Sequence, residues 1–201
     1  MIRYTKNHIF KIIGLLIITS SFILLGVNKI IDNNKKSEEI VKVNSFLNDD
    51  TYNLINTNNI NINKKIEEDN FIAVLEIPKI SLKKGLSLDK NNINYNIEIV
   101  SGSTFFDENN SNLVLAAHSG NSKISFFKNL YKLTQGDIVN IYYDGIKYEF
   151  VIYDIYDVLK DGTVEIERYQ NKKTITLITC KKNSNNYQTV YVGYLTESNY
   201  Y

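Results

Sequence analysis

From Phe71 onward, short apolar runs alternate with turn residues, and this texture restricts the chain to an all-β fold more than any other feature does. FIAVLEI (71–77) is followed by Pro78 and KISL, and IEIV (97–100) by Ser-Gly-Ser. NLVLAA (112–117) runs into His118-Ser119-Gly120, TITLIT (174–179) into Cys180, and QTVYVGYL (188–195) closes the series. DIVNIYY (137–143) and IKYEFVIYDIYDVL (146–159) flank Asp144-Gly145, the dipeptide that most strongly favours a two-residue hairpin. Ile124, Phe127, Leu130 and Leu133 in KISFFKNLYKL (123–133) predict one helical turn. About eight strands in roughly 130 residues suit a closed or nearly closed barrel with one or two short helices.

The N-terminal part has a different character. Residues 12–27 (IIGLLIITSSFILLGV) carry no charge, and Ile9, Phe10 and the stems of Lys11 and Lys29 extend this stretch toward the length of a membrane-spanning helix. Arg3, Lys6 and Lys11 precede it, which by the positive-inside rule places the N-terminus in the cytoplasm and the rest of the chain outside. A cleaved signal peptide is the rival reading, but Leu24-Leu25-Gly26 before Val27 is a poor cleavage site. The expected organisation is a tip and single-pass anchor at 1–31, a polar, partly helical spacer at 32–70, and the β-domain at 71–201.

Charge and composition remove several functions. A net charge of +1 gives no basic surplus for nucleic acid. One cysteine excludes an internal disulfide framework, and with two histidines it cannot supply a zinc site; no metal and no cofactor is expected. Asp107, Glu108 and Asn109 read as a solvated turn rather than a calcium loop.

The chemistry is therefore sought at Cys180 and His118. Each follows an apolar strand and precedes a polar loop, where a barrel opens to solvent. A thiolate can attack a carbonyl, and an imidazolium can both favour that thiolate and protonate the leaving amine. A buried structural cysteine and a structural histidine are the plainer alternative.

Thr176-Leu177-Ile178-Thr179-Cys180 matches the TLxTC motif of sortases, the membrane-anchored cysteine transpeptidases of Gram-positive bacteria. Leu115-Ala116-Ala117-His118-Ser119-Gly120 resembles the family's histidine segment, and IPKI (77–80), FFKNL (126–130) and Gly136-Asp137 also look familial. The resemblance covers 71–201, and the anchor-plus-spacer layout matches. It implies an eight-stranded sortase-type β-barrel with Cys180 as nucleophile and His118 as general acid. Thr179, Ser119 and Ala117 would lie beside the substrate. The implied substrate is an LPxTG-like sorting signal of an exported protein. A Cys180 thioester would then be resolved by an amine acceptor such as a peptidoglycan precursor. No Asp-Pro-aromatic lid motif precedes the barrel, which argues against a pilin polymerase.

One departure stands out. Sortases carry an arginine on the strand after the cysteine, and here TVYVG aligns Gln188 with that position. The chain has only Arg3 and Arg168, and Arg168 reads as a solvated loop charge. Gln188 can offer a neutral amide to an oxyanion, or Lys181 or Lys182 can supply charge from the loop. The alternative is an impaired barrel that binds sorting peptides without turnover.

Overall fold

The computed structural model describes residues 2–48, 71–106, 109–161 and 171–201. The chain forms two compact units, Met1–Asn44 and Ser45–Tyr201.

The first unit is helical: α1 runs Ile2–Leu47. From Phe10 it is long and apolar enough to cross a membrane. Leu15, Leu16, Phe22, Ile23 and Leu24 are all exposed on the helix. Its hydroxyls are internally satisfied: Thr19 donates to the Leu16 carbonyl (3.0 Å), and Ser20 and Ser21 donate to the Ile17 carbonyl (both 2.9 Å). That pairing lets polar side chains sit in an apolar medium without an open donor. The helix continues past residue 31 into the expected spacer, where Glu38 stands four residues before Lys42, a helix-supporting spacing.

The second unit carries an eight-stranded sheet. Its strands are β1 (Phe71–Ile77), β2 (Leu82–Ser87), β3 (Glu98–Ile99), β4 (Asn112–Ala116), β5 (Ile138–Tyr143), β6 (Ile146–Leu159), β7 (Thr174–Cys180) and β8 (Tyr187–Tyr200). They lie in the order β2-β1-β5-β6-β8-β7-β4-β3. The sheet curls into a nearly closed barrel. The Asn96 side chain donates to the Gly85 carbonyl (3.1 Å), linking the segment before β3 to β2 at the opposite end of the order.

Local chemistry accounts for most elements. Asp144 (φ 50°) and Gly145 (φ 71°) both take the left-handed conformation that a type I′ turn requires, and β5 pairs with β6 from Tyr143↔Ile146 outward. β2 was not evident from periodicity. Its sequence LKKGLS is polar because it is an edge strand, and lysines on an edge discourage pairing with another chain. The helical turn expected over 123–133 is a series of turns ending in a three-residue 3₁₀ helix at Leu130–Lys132. Ile124, Phe127, Leu130 and Leu133 recur every third residue, the period of a 3₁₀ helix rather than of an α-helix.

Alternation on β4, β7 and β8 produces two apolar faces. Leu113, Leu115, Ile175, Leu177 and Tyr191 join Phe106, Phe127 and Phe150 inside the barrel. Val114, Ile178, Val190 and Val192 form a separate cluster on the other face, with Ala116, Tyr156 and Val158 packed against it.

Gly193 on β8 lies between β6 and β7. A Cβ there would stand 3.0 Å from Ile175 Cγ2 and 3.3 Å from Phe150 Cβ. Gly193→Val is expected to lower stability by about 1–3 kcal/mol, the usual cost of overpacking, read from the midpoint of urea unfolding.

Candidate functional site

β4 and β7 are neighbours and run parallel, with Asn112↔Thr174 through Ala116↔Ile178 in register. Parallel strands finish at the same edge of a sheet. Two residues beyond Ala116 stands His118, and two beyond Ile178 stands Cys180, so the register brings the two level. β8 then pairs Cys180 with Gln188, and β6 pairs Gln188 with Val158. Alternation puts Cys180, Gln188 and Val158 on the face of the second apolar cluster, and it carries His118 there by its spacing from Ala116.

Hydrogen bonds fix the two strand ends to each other. The Thr179 hydroxyl donates to the Ala117 carbonyl (2.7 Å), and the Ala117 amide donates to the Ile178 carbonyl (3.3 Å). The Ser119 hydroxyl donates to the Cys180 carbonyl (2.8 Å). The Phe127 amide donates to the His118 carbonyl (3.0 Å), and Phe127 itself is fully buried in the barrel. The backbone on both sides of the Cys–His pair is thus tied down by these bonds.

Of the residues the sequence pointed to, His118, Ser119 and Cys180 line an open groove of about 550 Å³, together with Lys128, Tyr131 and the loop 181–185. His118 and Cys180 are half-buried, and the cysteine is a free thiol. Gln188 is half-buried beside Cys180. Ala117 is different. Its side chain belongs to the barrel core at 2% exposure, and its carbonyl is taken by Thr179, so it offers a peptide no side chain. Arg168, Asp107 and Glu108 lie outside the described residues. Among the described residues, no three of His, Cys, Asp or Glu assemble as a possible metal site.

Three contributors had no signal in the sequence. Lys160, just after β6, places its Nζ 3.5 Å from the Cys180 Sγ, while its amide donates to the Asn186 carbonyl (2.8 Å). Asp157 on β6 accepts from Lys181 Nζ (2.6 Å) and from the Thr189 hydroxyl (2.8 Å), tethering the first residue of the loop after β7. Tyr191 on β8 lines a small pocket together with Thr179 and Cys180; burial, and then the Asp157 charge, push its phenol up to about 12, so it is neutral at working pH. Asp157 and Lys160 come from β6 and its end, before the TLITC strand, and Tyr191 from β8, the strand that follows it.

The hydrogen bonds from Lys181 and Thr189 hold the Asp157 carboxyl below its ordinary value of 3.8. A lowered folded-state pKa means that this tether contributes fully above the ordinary value. It is lost only as the pH falls through the lowered one.

These features can be set beside known proteins. The family model described as the sortase domain matches residues 75–196. Sortase A of Bacillus anthracis is 30% identical over 132 residues, which cover 62% of this chain and 60% of that protein's length. The sortase D5 transpeptidase of Clostridium perfringens aligns at a TM-score of 0.52 and 25% identity, over 63% of this chain and 79% of that one. Sortase C-1 of Actinomyces oris shares the fold at a TM-score of 0.58 and 22% identity, over 67% of this chain and 76% of that one. A strand-end cysteine and histidine on an eight-stranded barrel, inside a matched domain that fills more than half the chain, define the class: the chain belongs to the sortase family.

Thr179→Val removes the donor to the buried Ala117 carbonyl while keeping a β-branched side chain. It is expected to cost about 1–3 kcal/mol in chemical denaturation, the penalty for an unpaired buried acceptor. Ser119→Ala, at a half-exposed position where water can replace the hydroxyl, is expected to cost less.

Proposed function

We propose that the protein is a membrane-anchored cysteine transpeptidase that cuts an LPxTG-like sorting signal and passes the acyl group to an amine acceptor of the cell wall. The observation that carries this reading is the meeting of Cys180 and His118 at the ends of two in-register parallel strands, at the mouth of one groove. The Cys180 sulfur attacks the carbonyl of the scissile peptide bond, and the resulting tetrahedral oxyanion collapses as the C–N bond breaks. His118, as imidazolium, delivers a proton to the departing amine, which leaves an acyl thioester on the sulfur. An acceptor amine then attacks the thioester carbon, gives its proton back to the imidazole and expels the sulfur as the thiolate, which restores the thiolate–imidazolium pair.

Substrate placement follows from the same faces. The apolar patch of Val114, Ala116, Ile178 and Val190 leads up to Cys180, and it suits the hydrophobic part of a sorting signal. The groove lined by Lys128, Tyr131 and the loop 181–185 opens beside the same pair and suits the acceptor. Gln188 faces the site as a neutral amide donor. Thr179 and Ser119 act as positioning residues, because their hydroxyls bind the strand ends rather than point into the groove. The basic flank of Arg3, Lys6 and Lys11 supports a cytoplasmic N-terminus and a barrel outside the membrane.

The test is intact-mass spectrometry of the full chain in detergent micelles, mixed with a library of LPxTG-type peptides. A covalent adduct that hydroxylamine removes is expected on the wild type and not on Cys180→Ala. His118→Ala is expected to acylate about 10²–10⁴ times more slowly. A folded wild type that forms no adduct with any library member would sink the proposal.

A further inference from the structure

A thiolate nucleophile needs a nearby positive charge at two moments. The first is when the proton leaves sulfur. The second is when the attacked carbonyl oxygen becomes an oxyanion bonded through carbon to that sulfur. The position across from Cys180 on β8 offers only the uncharged Gln188.

The charged and titratable groups around the thiol are few. Among the described residues they are His118 beyond β4, Lys128 and Tyr131 on the groove wall, Lys181 and Lys182 beyond β7, Tyr187 and Tyr191 on β8, and Asp157, Lys160 and Asp161 at the end of β6. Both loop lysines are directed elsewhere. Lys181 is 2.6 Å from the Asp157 carboxylate, and Lys182 lies 3.5 Å over the centre of the Tyr131 ring. Lys160 is directed at the sulfur, with Nζ 3.5 Å from Sγ.

The backbone explains why it reaches. β6 pairs with β8 as Val158↔Gln188 and Leu159↔Tyr187, and the next rung is the bond from the Lys160 amide to the Asn186 carbonyl (2.8 Å). Lys160 therefore follows Val158 by two residues on the same face, the face that Gln188 and Cys180 share. Its base is held by a ladder hydrogen bond, and only its flexible stem has to cross β8.

We infer that Lys160 is a catalytic residue of this site, the cation that stabilises the Cys180 thiolate and then the oxyanion formed when that thiolate attacks a peptide carbonyl. The inference rests on the reading of Cys180 as the nucleophile. During attack the S–C bond forms and the carbonyl π-electrons move to oxygen. The ammonium donates a hydrogen bond first to sulfur and then to that oxygen, and it keeps its protons throughout. The leaving amine takes its proton from His118. The charge that a guanidinium on β8 would supply thus comes from just past the end of β6, one strand further over and two residues beyond the row of Cys180, Gln188 and Val158.

The experiment is the pH profile of Cys180 alkylation by iodoacetamide, read by intact mass on the full chain in micelles. Wild type, Lys160→Met, Lys160→Gln and Lys160→Arg are compared, with Cys180→Ala as the blank. Removing the ammonium is expected to raise the midpoint of the profile by about one pH unit. Near neutral pH the rate falls by only about threefold, because a more basic thiolate is intrinsically more nucleophilic. Lys160→Arg is expected to restore the wild-type midpoint, which a merely structural role would not require. Acylation by the best sorting peptide is expected to fall by about 10²–10³ in Lys160→Met.

A midpoint unchanged in both Lys160→Met and Lys160→Gln would overturn the inference, as would an Arg variant that behaves like the Met variant. Alkylation needs no peptide, so these results are read whether or not an acyl adduct forms. A normal adduct with an unmoved midpoint would remove Lys160 and leave the transpeptidase reading standing. A shifted midpoint with no adduct would do the reverse.

Discussion

Everything at this site depends on the parallel pairing of β4 with β7. An antiparallel pair would send the two strands to opposite edges and separate Cys180 from His118 by the length of a strand. Parallel pairing ends both at one edge, and five residues in register set their relative height. Parallel neighbours need a long connection. Here the chain between them builds β5 and β6, and β6 and the residue after it deliver Asp157 and Lys160 to the site. The crossover required by topology therefore supplies much of the site's charge.

The second constraint is the inward anchoring of the strand ends. A nucleophile at the open end of a barrel lies where hydrogen-bond ladders stop and backbone frays. The hydroxyls of Thr179 and Ser119 extend the cross-strand bonding by side chains after the main-chain ladder has ended. Phe127 adds an apolar plug, with its ring in the core and its amide on the His118 carbonyl. The Thr179 hydroxyl is a strut to the Ala117 carbonyl, and the Ala117 methyl belongs to the barrel core.

The legible and illegible parts of the fold divide by physical range. β6 could be read to its ends because an Asp-Gly turn starts it and a polar stretch after Leu159 ends it, and both are local signals. β2 could not, because its polarity reflects its place at the sheet edge, which is a property of the whole order of strands. The 3₁₀ helix at Leu130–Lys132 was half legible: the apolar residues were evident, but their three-residue period was taken for a helical turn of the wider kind. At the site, Cys180 and His118 were visible because each ends an apolar strand before a polar loop. Lys160, Asp157 and Tyr191 were not. Their relevance arises from cross-strand register, which no local pattern encodes.

That distinction bears on the absent arginine. Read along the chain, Gln188 is the loss of a charge at one position, and the natural conclusion is an impaired enzyme. Read across the sheet, β7, β8 and β6 present consecutive residues on one face at the same height, and the strand-end His118 falls level with them. A cation delivered from any of them within reach of the sulfur meets the electrostatic need, whichever strand carries it. Lysine suits the more distant strand, since its four-carbon stem spans a neighbour and its ammonium needs no fixed plane to donate. A guanidinium earns its advantage by a bidentate fork held close to the target. With Lys160 in the role proposed above, Gln188 in place of the arginine that the family resemblance implies would give up that fork rather than the charge. An ammonium that must serve sulfur first and oxygen second is better matched to a mobile point charge than to a rigid plane.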